Sequence, residues 1–222
     1  MSAGLAADRL CLVSDRRRLC AAAGAPLTEG AALLVEQAAA AGAAGIGAFQ
    51  LREPDLAAAD LLALARAIVL VLGPTRLLVN DRADVAAAAG AGVHLRERSL
   101  PAARVRAALA GVAPIWRAVH DVAGVAAAGP VDALVAGTVS VSVSKPATAS
   151  LLGVDGLAAI VAAATVPVYA IGGLRGRVWP TVAPSGAAGC AAIGAFLPLA
   201  GERIAAAMTR AVEEFRRGVD CD

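Results

Sequence analysis

Residues 166–174 read Val-Pro-Val-Tyr-Ala-Ile-Gly-Gly-Leu, and residues 189–196 read Gly-Cys-Ala-Ala-Ile-Gly-Ala-Phe. Each segment is a short apolar run that leads into glycine and then into a stretch able to start a helix. This pattern is typical of a buried parallel strand followed by a βα turn. Glycine lets backbone N–H groups approach an anion, and a helix N-terminus behind the turn adds partial positive charge. The two segments therefore predict a phosphate site near the end of the chain.

The rest of the chain repeats the same strand-then-helix unit. Strands are predicted at residues 10–15, 45–52, 76–81, 93–95, 115–120 and 133–139, before the two segments above. Helices are predicted at residues 27–41, 56–72, 83–89, 102–110, 122–128, 154–164 and 202–217. The basic cluster Arg16–Arg18 is interpreted as a solvated loop, although an arginine at the carboxyl end of a strand could also bind a phosphate. Eight units with a mean period of roughly 28 residues favour an α/β fold, a single (β/α)8 TIM barrel domain over residues 1–222. A doubly wound open sheet has the same alternation but fits the number of units less well.

Composition and sequence pattern argue against a membrane-inserted or secreted protein. Hydrophobic residues make up 59% of the chain and the mean hydropathy is +0.70, but much of this is alanine in helical stretches flanked by polar residues. The uncharged run at residues 156–174 is interrupted by Pro167 and by a glycine pair. Residues 1–9 lack the pattern of a secretory signal. We therefore expect a cytoplasmic protein that is not inserted in a membrane.

Composition also limits the partners. The formal net charge is +2 and aromatic residues make up 3% of the chain. The sequence thus lacks the basic stripe and the stacking aromatics of nucleic-acid-binding proteins, and we expect no nucleic-acid partner. Its four cysteines have no metal-ligand spacing, which indicates reduced thiols. A homo-oligomer is compatible with the sequence.

Polar residues follow most of the predicted strands. In a TIM barrel the reactive residues lie at the carboxyl ends of the strands, which meet at one rim. The polar residues at these ends are Gln50, Arg52, Glu53, Asn80, Asp81, Arg96, Glu97, His120, Ser142 and Lys145. One such residue would carry little weight, but their recurrence on successive strands predicts a functional site.

The motifs at these strand ends resemble the thiamine phosphate synthase/TenI superfamily. They occur in the family's order: Gln-Leu-Arg-Glu at residues 50–53, Asn-Asp-Arg-Ala-Asp at 80–84, Gly-Val-His-Leu at 92–95, Val-His at 119–120, Ser-Lys-Pro at 144–146 and Ala-Ile-Gly-Gly at 170–173. The resemblance covers nearly the whole chain. It implies a TIM barrel that binds a small-molecule thiazole phosphate.

Two reactions are implied by the resemblance. The synthase joins a pyrimidine methyl diphosphate to a thiazole phosphate and needs Mg²⁺ and cations for the leaving diphosphate. The TenI-type thiazole tautomerase shifts a proton within a carboxythiazole phosphate, which makes the ring aromatic and needs an acid/base but no metal.

Two departures from the family pattern favour the tautomerase. Synthases continue Gln-Leu-Arg-Glu with a lysine, where this chain has Pro54, and they place a metal-binding aspartate where this chain has Ser99. We therefore expect no cofactor. Mg²⁺ would be bound, with Asp81 as its remaining ligand, only if the chain is a synthase. Glu97 could replace the missing aspartate, but it lies two residues earlier, which would move the carboxylate by several Å. A non-catalytic barrel that binds a phosphate ligand, and an enzyme acting on a different heterocycle, stay open as further alternatives.

The resemblance also implies roles for individual residues. His120 would be the catalytic acid/base, with Glu53 as a second proton carrier. The backbone of Gly172, Gly173, Ile193 and Gly194 would bind the phosphate. The substrate-binding residues would be Gln50, Arg52, Asn80, Lys145 and Ser142. His94 is interpreted as a structural residue.

Overall fold

A computed structural model describes residues 4–109, 111–112, 114–141 and 151–218. Eight parallel strands close into a barrel in the order β1 to β8, with β8 paired to β1. The strands are β1 (Leu10–Val13), β2 (Ala48–Leu51), β3 (Arg76–Asn80), β4 (Gly92–Leu95), β5 (Ile115–Val119), β6 (Ala133–Gly137), β7 (Val168–Ile171) and β8 (Gly189–Ala192). This confirms the predicted TIM barrel.

Helices lie between successive strands and after the last one. Within the described residues they are α1 (Arg16–Ala23), α2 (Gly30–Ala43), α3 (Ala58–Val71), α4 (Ala83–Ala89), α5 (Ala102–Ala108), α6 (Val122–Ala127), α7 (Gly153–Ala163), α8 (Trp179–Val182) and α9 (Ile204–Arg217). The short helix α8 lies between two single turns of 3-10 helix, Gly176–Val178 and Ala183–Ser185. A full-length helix is therefore not needed to connect β7 with β8.

The strands read as continuous apolar runs because both of their faces are buried. One set of side chains fills the barrel interior, including Cys11, Leu78, Trp116 and Val135. The Trp116 ring packs against that of Tyr169, with the ring centroids 4.5 Å apart. The alternate side chains form a larger core between strands and helices. The packed interior leaves the carboxyl ends of the strands as the place for a ligand cavity.

The interpretation of Arg16–Arg18 as a loop was wrong. These residues form the first turn of α1, and the Asp15 side chain accepts a hydrogen bond from the backbone N–H of Arg18 over 3.1 Å. Aspartate at this position satisfies a backbone donor that the helix itself cannot. The interaction caps the N-terminus of α1, and the Arg18 side chain lines the cavity at the barrel mouth described below.

In the described part of the chain, no single helix is long and apolar enough to cross a membrane. The segments Arg16–Ala23 and Leu27–Ala43 meet the length and composition criteria only as a pair bent by 118°.

Candidate active site

A cavity of about 870 Å³ opens at the carboxyl ends of the strands. This volume is in the range of small-molecule sites. Eight of the residues predicted from the sequence to form the site line the cavity: Gln50, Arg52, Asn80, His120, Gly172, Gly173, Ile193 and Gly194. Ser142 and Lys145 lie outside the described residues. The barrel therefore brings most of the predicted site residues to one place.

Glu53 lies elsewhere, although the sequence analysis assigned it a catalytic role. It is buried and is not among the residues that line the cavity. Its Oε1 accepts hydrogen bonds from Ser14 Oγ at 2.6 Å and from the backbone N–H of Arg16 at 3.1 Å. Burial raises the pKa of the carboxyl above its ordinary value, and the bond from Ser14 opposes that shift. The contacts support a structural role for Glu53, which ties the loop after β2 to the turn before α1.

Asp81 has a left-handed backbone conformation, which is uncommon for a residue other than glycine. Its φ is 58°, and among the described residues it is the one non-glycine with a positive φ. Its backbone N–H donates to His94 O over 2.8 Å. One carboxylate oxygen accepts a hydrogen bond from Ser99 Oγ, and the other pairs with the Arg96 guanidinium. Both carboxylate oxygens are therefore already bound to side chains of this chain.

These contacts do not fit a Mg²⁺ site. Mg²⁺ is usually held by one or two carboxylates together with substrate phosphates and water. Here the Asp81 carboxylate is paired with a guanidinium, and Ser99 occupies the position where the family resemblance implies a second acidic ligand.

His120 follows β5 and presents one ring nitrogen to the cavity. Its Nδ1 contacts the carbonyl oxygen of Gly137, and its Nε2 lies 4.0 Å from Glu97 Oε2. A carbonyl oxygen only accepts hydrogen bonds, so Nδ1 carries the proton in the neutral ring. Nε2 is then the basic nitrogen, and the imidazole is 47% exposed. This orientation suits a group that takes a proton from a bound ligand and returns it.

Arg117 was missed by the sequence analysis. It is a buried residue of β5 whose guanidinium donates to Glu97 O over 2.7 Å and to Leu100 O over 3.0 Å. These bonds hold the segment between β4 and α5, which carries the cavity-lining Arg96 and Glu97. A charged residue within the otherwise apolar run 115–119 was the available signal, because a buried charge needs hydrogen-bond partners.

Arginine is more abundant in the cavity than the sequence analysis predicted. Arg52 was the one arginine assigned to substrate binding, and Arg96 was placed at the rim without a role. The described lining residues include five arginines besides Arg52 and one carboxylate, Glu97. The five are Arg18, Arg96, Arg98, Arg175 and Arg177. The whole chain has a net charge of only +2, so the positive charge is concentrated at the cavity. Such a lining favours an anionic ligand.

The turn after β7 requires glycine. Gly172 and Gly173 have φ values of 109° and 67°, and a Cβ on Gly173 would overlap the carbonyl oxygen of Val141. Gly194 follows β8, where a side chain would project toward arginine ends instead of backbone. The two predicted phosphate-binding turns thus lie side by side at the mouth of the barrel.

Polar side chains form the floor of the cavity. Gln50 Nε2 donates to Asn80 Oδ1 over 2.9 Å, and His94 is the strand neighbour of Asn80. Within the described residues, neither ring nitrogen of the buried His94 has a hydrogen-bond partner. Burial lowers the pKa of His94 to about 4. The ring is therefore neutral at physiological pH.

His94 is expected to make the fold sensitive to acid. Its pKa is about 4 in the folded chain, against an ordinary value of 6.5. Below pH 6.5 the unfolded chain therefore binds the extra proton, and stability is lost as the pH falls toward 4. One proton with this shift corresponds to about 3 kcal/mol. We expect His94→Gln to remove this part of the pH dependence, measured by urea unfolding of both proteins between pH 7.5 and 4. Parallel curves for the two proteins would contradict the prediction.

Comparison with known proteins gives a consistent result. The family model TMP-TENI, described as thiamine monophosphate synthase, matches residues 24–196. The thiamine-phosphate synthase of Azorhizobium caulinodans is 36% identical over 191 residues, which cover 84% of this chain and 85% of the relative. The thiamine-phosphate synthase of Albidiferax ferrireducens is also 36% identical, over 196 residues that cover 86% of this chain and 85% of the relative.

A solved structure agrees with these sequence matches. The thiamine phosphate pyrophosphorylase from Pyrococcus furiosus superposes with a TM-score of 0.76 at 26% sequence identity. The match covers 95% of this chain and 94% of that protein. The similarity therefore includes the whole barrel and the strand ends that form the cavity.

Proposed function

Because the chain belongs to the thiamine monophosphate synthase (TMP-TENI) family, we propose that it is an enzyme that binds a thiazole phosphate and transfers a proton on the thiazole ring. The reaction would be that of a TenI-like thiazole tautomerase, which converts a carboxythiazole phosphate into its aromatic tautomer. The family itself follows from the matches, and the choice of reaction is our inference from the site.

The observation that carries this choice is the state of Asp81. Its carboxylate is bound by Arg96 and Ser99, so the position that would hold Mg²⁺ in a synthase already contains a cation from the chain itself. A proton shift needs no metal, whereas the departure of a diphosphate does. The contacts of the Asp81 carboxylate with Arg96 and Ser99 therefore support the metal-independent reaction.

The proposed roles of the other residues follow from their places in the cavity. The turns at Gly172–Gly173 and Ile193–Gly194 would bind the phosphate with backbone amides. His120 Nε2 would remove the proton from one ring atom and return it to another. Gln50, Arg52 and Asn80 would orient the ring, and Ser142 and Lys145 would contact its anionic groups. Glu53 is left out of the mechanism because it is buried and does not line the cavity.

A second candidate is thiamine phosphate synthase itself, the alternative that the sequence analysis left open. The relatives support it directly, because the two described above are both named thiamine-phosphate synthase. Their names favour this reaction over the tautomerase. The pairing of Asp81 with Arg96 and the serine at position 99 argue against it.

Chelation separates the two reactions. We expect aromatisation of the carboxythiazole phosphate to continue at the same rate in excess EDTA, because none of the residues assigned to the reaction needs a metal. The rate is measured from the absorbance of the aromatic product. Coupling of pyrimidine diphosphate to thiazole phosphate that stops on chelation would instead establish the synthase. Binding of the thiazole phosphate without either reaction would leave a non-catalytic barrel.

A further inference from the structure

Two arginine side chains converge on Gly194. A Cβ built on this glycine would lie 3.2 Å from Arg18 Nη2 and 3.8 Å from Arg175 Nη2. Apart from the glycine's chain neighbours, no other atom of the described residues would lie within 4 Å of it. The space above Gly194 is therefore bordered by two guanidinium groups from separate parts of the barrel, one from α1 and one from the loop after β7.

Contacts elsewhere in the fold hold the backbone of both arginines. The N–H of Arg18 donates to the Asp15 side chain, which caps α1. The carbonyl oxygen of Arg175 accepts hydrogen bonds from the backbone N–H groups of Val178 at 3.0 Å and Trp179 at 3.2 Å. The next residue, Gly176, packs so closely on α9 that a Cβ would overlap Glu214. The two side chains therefore start from positions that do not depend on a bound ligand.

The chemistry of this arrangement matches a phosphate group. A guanidinium presents a planar fork of N–H donors that fits two phosphate oxygens, and such charge-assisted hydrogen bonds are stronger than neutral ones. A phosphate monoester has three terminal oxygens, enough to accept bonds from backbone amides on one side and from two guanidiniums on the others. Backbone amides alone would leave its charge only partly compensated.

We propose that Arg18 and Arg175, here called the arginine pair, bind the phosphate of the ligand from two sides above Gly194. The site then combines side chains with main-chain amides and selects a dianionic phosphate monoester over a singly charged anion such as a carboxylate. The proposal rests on the proposed function insofar as this phosphate belongs to the thiazole substrate. It adds two binding residues and a charge requirement to that site.

Inorganic phosphate is the probe for this proposal, and isothermal titration calorimetry at pH 8 is the measurement. Arg18→Gln and Arg175→Gln are each expected to weaken phosphate binding roughly tenfold, and the double variant by roughly a hundredfold. Arg175→Lys keeps the charge but loses the planar fork of N–H donors. Its phosphate affinity should therefore lie between that of Arg175→Gln and that of the unchanged protein. Arg104→Gln, at an exposed position of α5, is the matched control and should bind phosphate normally. Acetate should bind weakly to all of them.

Other results would overturn the proposal. Unchanged phosphate affinity in a folded double variant would show that the arginine pair does not bind the anion, and the proposed function would stand if thiazole turnover persists. Failure of the unmodified protein to bind phosphate at millimolar concentration would reject the arginine pair and the phosphate site together. Acetate binding as strong as phosphate binding would reject the charge requirement. Thermal unfolding of each variant identifies losses that come from misfolding.

Discussion

Replacing His120 with asparagine is expected to lower kcat for aromatisation of the carboxythiazole phosphate by roughly 10²- to 10⁴-fold, the usual contribution of a positioned acid/base. An asparagine amide can still donate to Gly137 O, as Nδ1 does now, so the loop should keep its shape. It offers no basic nitrogen in place of Nε2. Thiazole phosphate affinity should change little, because the turns proposed to bind the phosphate follow β7 and β8. Single-turnover kinetics and equilibrium binding measure the two effects separately.

Asp121→Asn is the control for this experiment. Asp121 is the next residue in the same loop, and its side chain caps α6 by accepting a hydrogen bond from Gly124 N over 2.7 Å. Asparagine caps helices about as well as aspartate, so kcat should stay near that of the unchanged protein. A folded His120→Asn protein with undiminished kcat would remove His120 from the mechanism and leave the proposed proton transfer without its acid/base.

Gly194→Ala is expected to weaken thiazole phosphate binding by roughly 10- to 100-fold, the effect of losing one or two hydrogen bonds to a charged group. The new methyl group would occupy the space where the anion is proposed to bind, 3.2 Å from Arg18 Nη2. Its near neighbours are the ends of two flexible side chains and its φ is outside the left-handed region, so the fold should tolerate the change. The dissociation constant is measured by calorimetry, and kcat at saturating substrate should fall much less.

Gly124→Ala provides the matched control. It also adds one methyl group to a glycine, in α6, where the closest atom would lie 3.4 Å away. Gly124 does not line the cavity, so this protein should bind the thiazole phosphate normally. If Gly194→Ala keeps both its fold and its affinity, the anion does not bind above Gly194.

The two substitutions probe different parts of the site. His120→Asn should act on kcat and Gly194→Ala on the dissociation constant, because one residue is assigned to the chemistry and the other to the anchoring of the phosphate. An unmodified protein that binds the thiazole phosphate but shows no turnover would fit the non-catalytic barrel better than either enzyme. The pair of experiments therefore also tests whether the chain is catalytic.

Much of the architecture could be predicted from local patterns. The apolar runs that end in glycine or polar residues identified all eight strands, since parallel strands are buried on both faces and must stop where the chain turns. The same pattern placed Gln50, Asn80, His120 and the glycine turns around one cavity, because a barrel collects the carboxyl ends of its strands at one rim. Boundaries shifted by up to three residues, as at β2, which begins at Ala48.

Local patterns could not give the contacts of side chains that come from distant segments. The sequence placed Glu53 and Asp81 at the rim. It did not show that Ser14 and Arg16 donate hydrogen bonds to Glu53, or that Arg96 and Ser99 bind Asp81. A position at a strand end fixes where the backbone emerges, whereas the direction of the side chain depends on the loops around it.

By itself, the sequence determined the barrel, its rim and the two glycine turns, because these follow from the spacing of apolar residues and from the backbone freedom of glycine. Only the tertiary structure decided which charges meet there. It brought Arg18 and Arg175 together over Gly194, set Arg117 beneath the loop that carries Glu97, and paired Asp81 with Arg96. Each of these contacts joins residues from different βα units. They form only when the barrel closes, so no local periodicity encodes them.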